Sequence, residues 1–151
     1  MELLVVIGII IVIAATVVTV LPGLREKTQR KATKAFINRL EIAIEQYYND
    51  NRFYPPTGSE PTEIEDLKKA LQPSDSAAKQ YIEFNDSEVN GNEIVDYWGN
   101  PFVYATPGTQ TQNVGSYDLY STGPDGVTTP PTEPDNIPKG NDPDDINNWS
   151  R

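Results

Sequence analysis

The sequence predicts an α+β protein in which a long N-terminal helix is followed by a small antiparallel sheet. The evidence is an uncharged apolar run at residues 3–21, helical spacing of apolar residues between 36 and 48, and strand-like alternation at 96–104 and 117–121. A chain of 151 residues can bury one modest hydrophobic core but not two. We therefore expect one globular domain attached to an apolar helix.

The apolar run, "LLVVIGIIIVIAATVVTVL", contains no charged residue. As a helix it would be roughly 28 Å long, which is close to the hydrocarbon thickness of a bilayer. A cleaved signal peptide has a basic leading region and a shorter apolar core, whereas only Met1 and Glu2 precede this run. We predict a membrane-spanning helical segment at 1–24 and a globular domain at 25–151. Glu2 either lies among the lipid headgroups or pairs with a positive group of a neighbouring subunit.

A second, amphipathic part of the helix is predicted to follow Pro22 and Gly23, which should kink or loosen it. Its apolar residues recur three and four positions apart, and this spacing places them on one side that packs against a small core. These residues are Phe36, Ile37, Leu40, Ala43, Ile44, Tyr47 and Tyr48. The polar residues at 49–51 and the prolines at 55–56 should end the helix. Residues 62–71 are expected to be helical or irregular, and the sheet to lie at about 92–121.

Charge is unevenly distributed along the chain, whose formal net charge is −10. Six basic and two acidic residues precede position 41, whereas six basic and twenty acidic residues follow it. An anionic domain of this kind repels phosphates, so nucleic acid is not an expected partner. The early basic cluster could meet lipid headgroups or acidic surfaces of neighbours, and it consists of Arg25, Lys27, Arg30, Lys31, Lys34 and Arg39.

The chain contains neither cysteine nor histidine. This excludes disulfides, thiolate and Ser-His-Asp nucleophiles, and nearly all zinc, copper and haem ligation. Oxygen ligands remain, and they select hard cations, calcium first. Asp125 lies in a Gly-Pro-Asp-Gly turn, and Asp142, Asp144 and Asp145 are clustered further on, so a calcium ion could join the two segments. The alternative is a solvated acidic tail.

Catalysis is not expected. Paired carboxylates could serve a glycosidase, but these acids lie in one charged surface loop without the apolar wall that would raise one pKa.

Several segments resemble one protein family. "ELLVVIGIIIVIAA" is similar to the N-terminal segment of type IV pilins and type II secretion pseudopilins. Four later segments resemble, in order, the helix end, strand entry, turn and terminal tryptophan of the major pseudopilin family, and the set covers nearly the whole chain. They are "RLEIAIEQYYNDNRFYPPT", "DYWGNPFVY", "YDLYSTGPDG" and "DDINNW".

The resemblance implies a structural subunit that polymerises through its N-terminal helix into a periplasmic pseudopilus. In the family, the residue matching Glu2 neutralises the N-terminal amine of the adjacent subunit, and the mature N-terminus is methylated. The family's leader and the residues just before this glutamate are absent, so Met1 is not expected to be the processed N-terminus. The implied calcium ligands are the carbonyl of Thr122 and the carboxylates of Asp125, Asp144 and Asp145, with Asp142 as a nearby charge.

The implied location is the bacterial inner membrane, crossed once, with the domain in the periplasm. The implied partners are identical copies, minor pseudopilins, the inner-membrane assembly platform and, before assembly, lipid. The positive-inside rule alone would instead place residues 25–39 in the cytoplasm, unless a more basic leader or a dedicated insertion route reverses it.

Two other functions stay open at this point. One is a major type IV pilin of a surface pilus, although the missing cysteines favour the pseudopilin, because pilins often close their C-terminal region with a disulfide. The other is a membrane-anchored, calcium-dependent binding module.

Two departures from the family pattern are a proline at position 22, later than usual, and a long, proline-rich loop at 126–143.

Overall fold

The computed structural model describes residues 2–56, 64–107, 112–113, 115–128, 140 and 142–149, but not the side chains of Glu2 and of residues 16–22. Its elements, in chain order, are helices α1 (Glu2–Asn51) and α2 (Ile64–Leu71), a 3-10 turn (Asp86–Glu88), and strands β1 (Val89–Asn90), β2 (Glu93–Ile94), β3 (Val103–Ala105), β4 (Asp118–Ser121) and β5 (Ile146–Asn147). The predicted α+β class is confirmed.

Helix α1 contains 50 residues and continues through Pro22 and Gly23. It is therefore about 75 Å long at about 1.5 Å per residue. It ends where the backbone of Arg52 takes a left-handed conformation, with φ of 65°, and the Arg52 N–H donates to the carbonyl of Tyr48 at 2.7 Å. This is the geometry of a helix C-terminus, and it agrees with the predicted stop.

The strands form two antiparallel sheets. Strands β1 and β2 pair as a hairpin, and the second sheet has the order β3-β4-β5. In the second sheet Tyr104 lies opposite Leu119, and Ser121 lies opposite Ile146. The sequence predicted a sheet only up to about residue 121, so β5, which brings the acidic C-terminal segment beside β4, was missed.

The core forms between one side of α1 and the elements that cover it. Phe36, Ile37, Leu40, Ala43 and Ile44 are buried as the helical spacing predicted. They pack with buried side chains of α2, of the sheets and of the residue just before β3, namely Ile64, Leu67, Leu71, Ile94, Phe102, Tyr104, Leu119 and Ile146. The predicted alternation of Trp98, Phe102 and Tyr104 holds only in part, because Trp98 lies in a turn before β3.

The first half of α1 has a different environment. Residues 3–15 and 23–28 are exposed, including the large apolar side chains from Leu3 to Ile13. The predicted span at 3–21 extends into residues 16–21, whose side chains lie outside the description. Over the residues that are described, no helix combines the length and apolarity needed to cross a membrane.

Candidate metal centre

The first half of the candidate site is the turn that follows β4. Gly123 and Gly126 have φ of 69° and 70°, a left-handed conformation that glycine adopts without strain. Between them Asp125 is exposed, and its carboxylate accepts the N–H of Val127 at 2.9 Å. Thr122, whose carbonyl is the predicted ligand, is buried. The turn therefore places two predicted ligands within four residues of chain.

A buried carboxylate supports this turn from behind. Asp96 is 3% exposed, and it accepts hydrogen bonds from the N–H groups of Trp98 and Asn100, both at 2.9 Å. It also accepts a hydrogen bond from the hydroxyl of Ser121 at 2.6 Å. Burial raises the pKa of Asp96, although these hydrogen bonds oppose the shift.

The same network extends into the turn itself. The hydroxyl oxygen of Ser121 accepts the N–H of Gly123 at 3.1 Å, and the amide of Asn100 donates to the Gly123 carbonyl at 2.8 Å. Asn100 also packs against Gly126, where an added Cβ would lie 3.0 Å from its Oδ1. We call Asp96, Asn100 and Ser121 the turn brace. No sequence pattern predicted the turn brace, although "DYWGN" lies in a segment that resembles the family.

The second half of the site is the acidic segment before β5. Asp145 is 9% exposed, and its Oδ2 accepts the Thr128 hydroxyl at 2.7 Å and the Asp142 N–H at 2.9 Å. Its Oδ1 is buried, with no hydrogen-bond partner among the described residues. Burial raises the pKa of Asp145, and the charges of Asp142 and Asp144 add to the shift. A buried carboxylate oxygen without a donor is an atom that a cation would satisfy.

The two halves adjoin through Gly123 and Asp144. A Cβ placed on Gly123 would lie 2.5 Å from the carbonyl oxygen of Asp144 and 3.0 Å from its Oδ2. Only glycine, which has no side chain, allows so close an approach, so the turn and the acidic segment contact each other at Gly123. The described residues nevertheless contain no group of three or more acidic side chains arranged to hold a metal ion.

The predicted site residues thus have different surroundings. Asp144 and Asp145 lie together beside the turn that contains Thr122, whereas the Asp125 side chain is exposed and bonded within its own turn. Asp118, in β4, accepts the N–H groups of Gln112 and Asn113 and is not among the predicted ligands. The calcium site stays a prediction. The side chain of Glu2 lies outside the described residues.

Basic residues of α1 lie beside the acidic segment. Lys34 donates to the carbonyl of Asn147 at 2.6 Å, and Arg30 donates to the carbonyl of Pro143 at 3.3 Å. Arg30 therefore attaches the acidic segment to the helix and Lys34 attaches β5, and the two cations lie one helical turn apart. Their spacing was visible in the sequence, but their partner was not, because β5 had not been predicted.

The C-terminal segment is also fixed by close packing. Gly140 has φ of 58°, and an added Cβ would lie 2.5 Å from the ring of Tyr120. The Asn147 amide donates to the Gly140 carbonyl at 2.9 Å, and the rings of Tyr120 and Trp149 meet edge to face at 5.8 Å. This long-range packing holds the chain end against β4.

Comparison with known proteins decides the family. The family described as "Type II secretion system (T2SS), protein G" matches residues 21–149. The chain belongs to the type II secretion system protein G family. The match includes the amphipathic part of α1, both sheets and the candidate metal centre, so it covers the whole globular domain.

Relatives support the assignment over nearly the full length. The chain is 36% identical over 149 residues to "Type II secretion system core protein G" of Escherichia coli (strain K12), covering 99% of this chain and 87% of that protein. It is 32% identical over 150 residues to the protein of the same name from Klebsiella pneumoniae, covering 99% and 91%.

A solved structure is similar to the fold. The crystal structure of the major pseudopilin from the type 2 secretion system of enterohaemorrhagic Escherichia coli superposes with a TM-score of 0.51 at 27% identity, covering 84% of this chain and 87% of that one. As a protein G family member, the chain is a structural pseudopilus subunit of the secretion machinery and not an enzyme. The surface-pilus and binding-module alternatives receive no support from these matches.

The turn brace can be tested by substitution. Asp96→Ala should lower the free energy of unfolding by roughly 2–4 kcal/mol, because it leaves buried donors without an acceptor. Asp96→Asn should cost about 1 kcal/mol, because the amide still accepts a backbone N–H and can donate to the Ser121 oxygen. Urea unfolding of the full chain in detergent measures both. Asp86→Ala, at an exposed acid, is the control, and equal effects at positions 86 and 96 would contradict the brace.

Proposed function

We propose that this chain polymerises through α1 into a periplasmic pseudopilus, anchored in the inner membrane before assembly. The observation that supports this is the exposed apolar half of α1: the large side chains from Leu3 to Ile13 are all about half or more exposed. So large an apolar surface is stable only in lipid or against other copies of the same helix. Minor pseudopilins and the inner-membrane assembly platform are the further partners that we propose.

Assembly should depend on Glu2. In the proposed filament its carboxylate neutralises the N-terminal amine of the next subunit, a pairing that is strong where water is excluded. The variant Glu2→Ala should therefore insert in the membrane as the unchanged chain does but give no filaments, as judged by shearing cells and examining the released material by electron microscopy. Asp86→Ala, at an exposed acid of the domain outside α1, is the control. Normal filaments from Glu2→Ala would contradict the role of Glu2.

The proposed topology conflicts with the positive-inside rule, because the basic cluster lies on the same side as the domain. Alkaline phosphatase fused after Arg151 should be active, since this reporter folds only in the periplasm. The same fusion lacking residues 1–24 should be inactive. An inactive full-length fusion, together with an active cytoplasmic reporter at the same position, would place the domain in the cytoplasm.

We also propose that calcium joins the two halves of the candidate metal centre. The ligands would be the Thr122 carbonyl and the carboxylates of Asp125, Asp144 and Asp145. Three features favour this: the buried Oδ1 of Asp145 without a hydrogen-bond partner, the contact of Asp144 with Gly123, and an oxygen-only ligand set. Calcium accepts carbonyl and water ligands, so two or three carboxylates suffice. The bound ion would stabilise the fold by linkage.

Calcium should raise the melting temperature of the full chain in detergent. At a hundredfold excess over Kd the gain should be roughly 5–10 °C for a chain of this size. Chelation should reverse it, and Asp125→Ala, which changes an exposed side chain, should remove it. Asp86→Ala should keep it, and magnesium at equal ionic strength should give a much smaller shift. Identical melting with calcium and with chelator would refute the site.

A further inference from the structure

The chain contains two Asn-X-Ser triplets, the pattern of an acceptor for N-linked glycans. They are "NDS" at 85–87 and "NWS" at 148–150. So short a pattern often arises by chance, and the surroundings of each asparagine decide whether a transferring enzyme can use it. The structure gives the two asparagines opposite surroundings.

The first triplet lies on the surface of the domain, just before β1. Asn85, Asp86 and Ser87 are all exposed. The residue before them, Phe84, packs its ring edge to face against Phe36 of α1, with the ring centres 6.3 Å apart. The segment is therefore anchored on its inner side and leaves the triplet accessible from outside.

Arg39 of α1 holds this segment in place. Its Nη2 donates to Oε2 of Glu88 at 2.5 Å and contacts the carbonyl of Glu83 at 3.5 Å. The same Oε2 of Glu88 accepts the backbone N–H of Asn85 at 2.9 Å. Between these contacts lies the 3-10 turn, which is only three residues long and belongs to a class with poor hydrogen-bond geometry. An enzyme would therefore find the acceptor at a fixed place, in a turn that opens at small cost.

The side-chain amide of Asn85 is compatible with modification. An amide nitrogen carries two hydrogens, and Nδ2 of Asn85 donates one of them to Oε2 of Glu88 at 3.2 Å. Attachment of a sugar replaces one hydrogen of Nδ2 and leaves the other. The hydrogen bond to Glu88 can therefore persist in the modified protein.

The second triplet is part of the packed chain end. Asn148 is half-buried, and its backbone N–H donates to the carbonyl of Leu119 at 3.1 Å. Its Oδ1 accepts the N–H of Leu119 at 3.0 Å, and its Nδ2 donates to the carbonyl of Tyr117 at 3.3 Å. An enzyme could reach this amide only by pulling the chain end away from β4.

An acidic residue also distinguishes the two triplets. Glu83 is exposed and precedes Asn85 by two positions, whereas the buried Ile146 occupies that position before Asn148. Bacterial enzymes that attach glycans to asparagine select acceptors with an acidic residue there, and a charge of this kind contributes specificity when it meets a cationic group of the enzyme. Only the first triplet therefore combines exposure, an available amide and the acidic residue.

We infer that Asn85 is an N-glycosylation site, modified by a membrane-bound oligosaccharyltransferase. The donor is an oligosaccharide joined through pyrophosphate to a polyprenyl lipid. A bond forms between Nδ2 of Asn85 and C1 of the first sugar, while the bond between C1 and the phosphate oxygen breaks. The polyprenyl pyrophosphate leaves with that electron pair, and Nδ2 gives up one proton. The inference rests on the proposed periplasmic location of the domain.

Mass spectrometry of the full chain, purified in detergent from the membranes of the bacterium that makes it, tests the site. The peptide that contains Asn85 should carry a glycan on that residue, and the peptide that contains Asn148 should carry none. Asn85→Gln, Ser87→Ala and Glu83→Gln should each abolish the added mass. Ser87→Thr should keep it, because threonine supplies the same hydroxyl. Asn148→Gln is the matched control and should leave it unchanged.

The alkaline phosphatase fusion separates failure of the site from failure of the proposed location. An unmodified Asn85 in cells where the fusion after Arg151 is active would overturn the site and leave the location intact. An unmodified Asn85 together with an inactive fusion would overturn the location and the site together. A glycan on Asn148, or one that Ser87→Ala retains, would also overturn the assignment.

Discussion

The structure depends on the burial of one side of α1. Neither sheet could be stable alone, since the hairpin has two strands and the other sheet has three strands of two to four residues. The three-stranded sheet and α2 pack directly against α1, whereas the hairpin packs against α2 and contributes Ile94 to the buried cluster that contains Phe36, Leu40 and Ile44. The helix is therefore the surface on which the rest of the domain assembles. The part of α1 that extends beyond the domain is the part for which we propose contacts with other copies or with lipid.

A second constraint acts on the chain end. Strand β5 pairs with β4 and is attached to α1 by Lys34, and the segment before β5 is attached to α1 by Arg30. The turn brace acts from the other side, through Ser121 and Gly123. The acidic segment is thereby held between helix and turn, and like charges that repel one another stay close. A charge cluster that is held by its neighbours can bind a cation without first paying the entropy of ordering itself.

The sequence predicted features that depend on local periodicity. The buried side of α1 follows from apolar residues three and four positions apart, and the pattern at 117–121 correctly predicts strand β4, although all four residues of that strand are buried rather than alternate ones. Contacts between residues distant in the chain could not be predicted. A two-residue strand such as β5 shows no periodicity, and nothing in the sequence distinguishes Asn147 from other polar residues. For the same reason Asp96 gave no signal as a brace, since its partner Ser121 lies twenty-five positions away. The ligand set of Thr122, Asp125, Asp144 and Asp145 stays a prediction, and resemblance to the family rather than periodicity pointed to it.

In the proposed assembly, α1 serves both the folding of the domain and the contact with other copies, so the rotation about the helix axis between its exposed part and its buried side matters. Inserting a single residue after residues 23–28, which are exposed, would turn them by about 100° relative to the buried side at Phe36 and Leu40. Inserting seven would turn them by only about 20° and move them about 10 Å along the axis. We therefore expect an insertion of about seven residues between the two regions of α1 to disturb the proposed assembly far less than an insertion of two or three residues. A length change could therefore leave the domain folded and still rotate the proposed assembly surface of α1 away from the neighbouring copy.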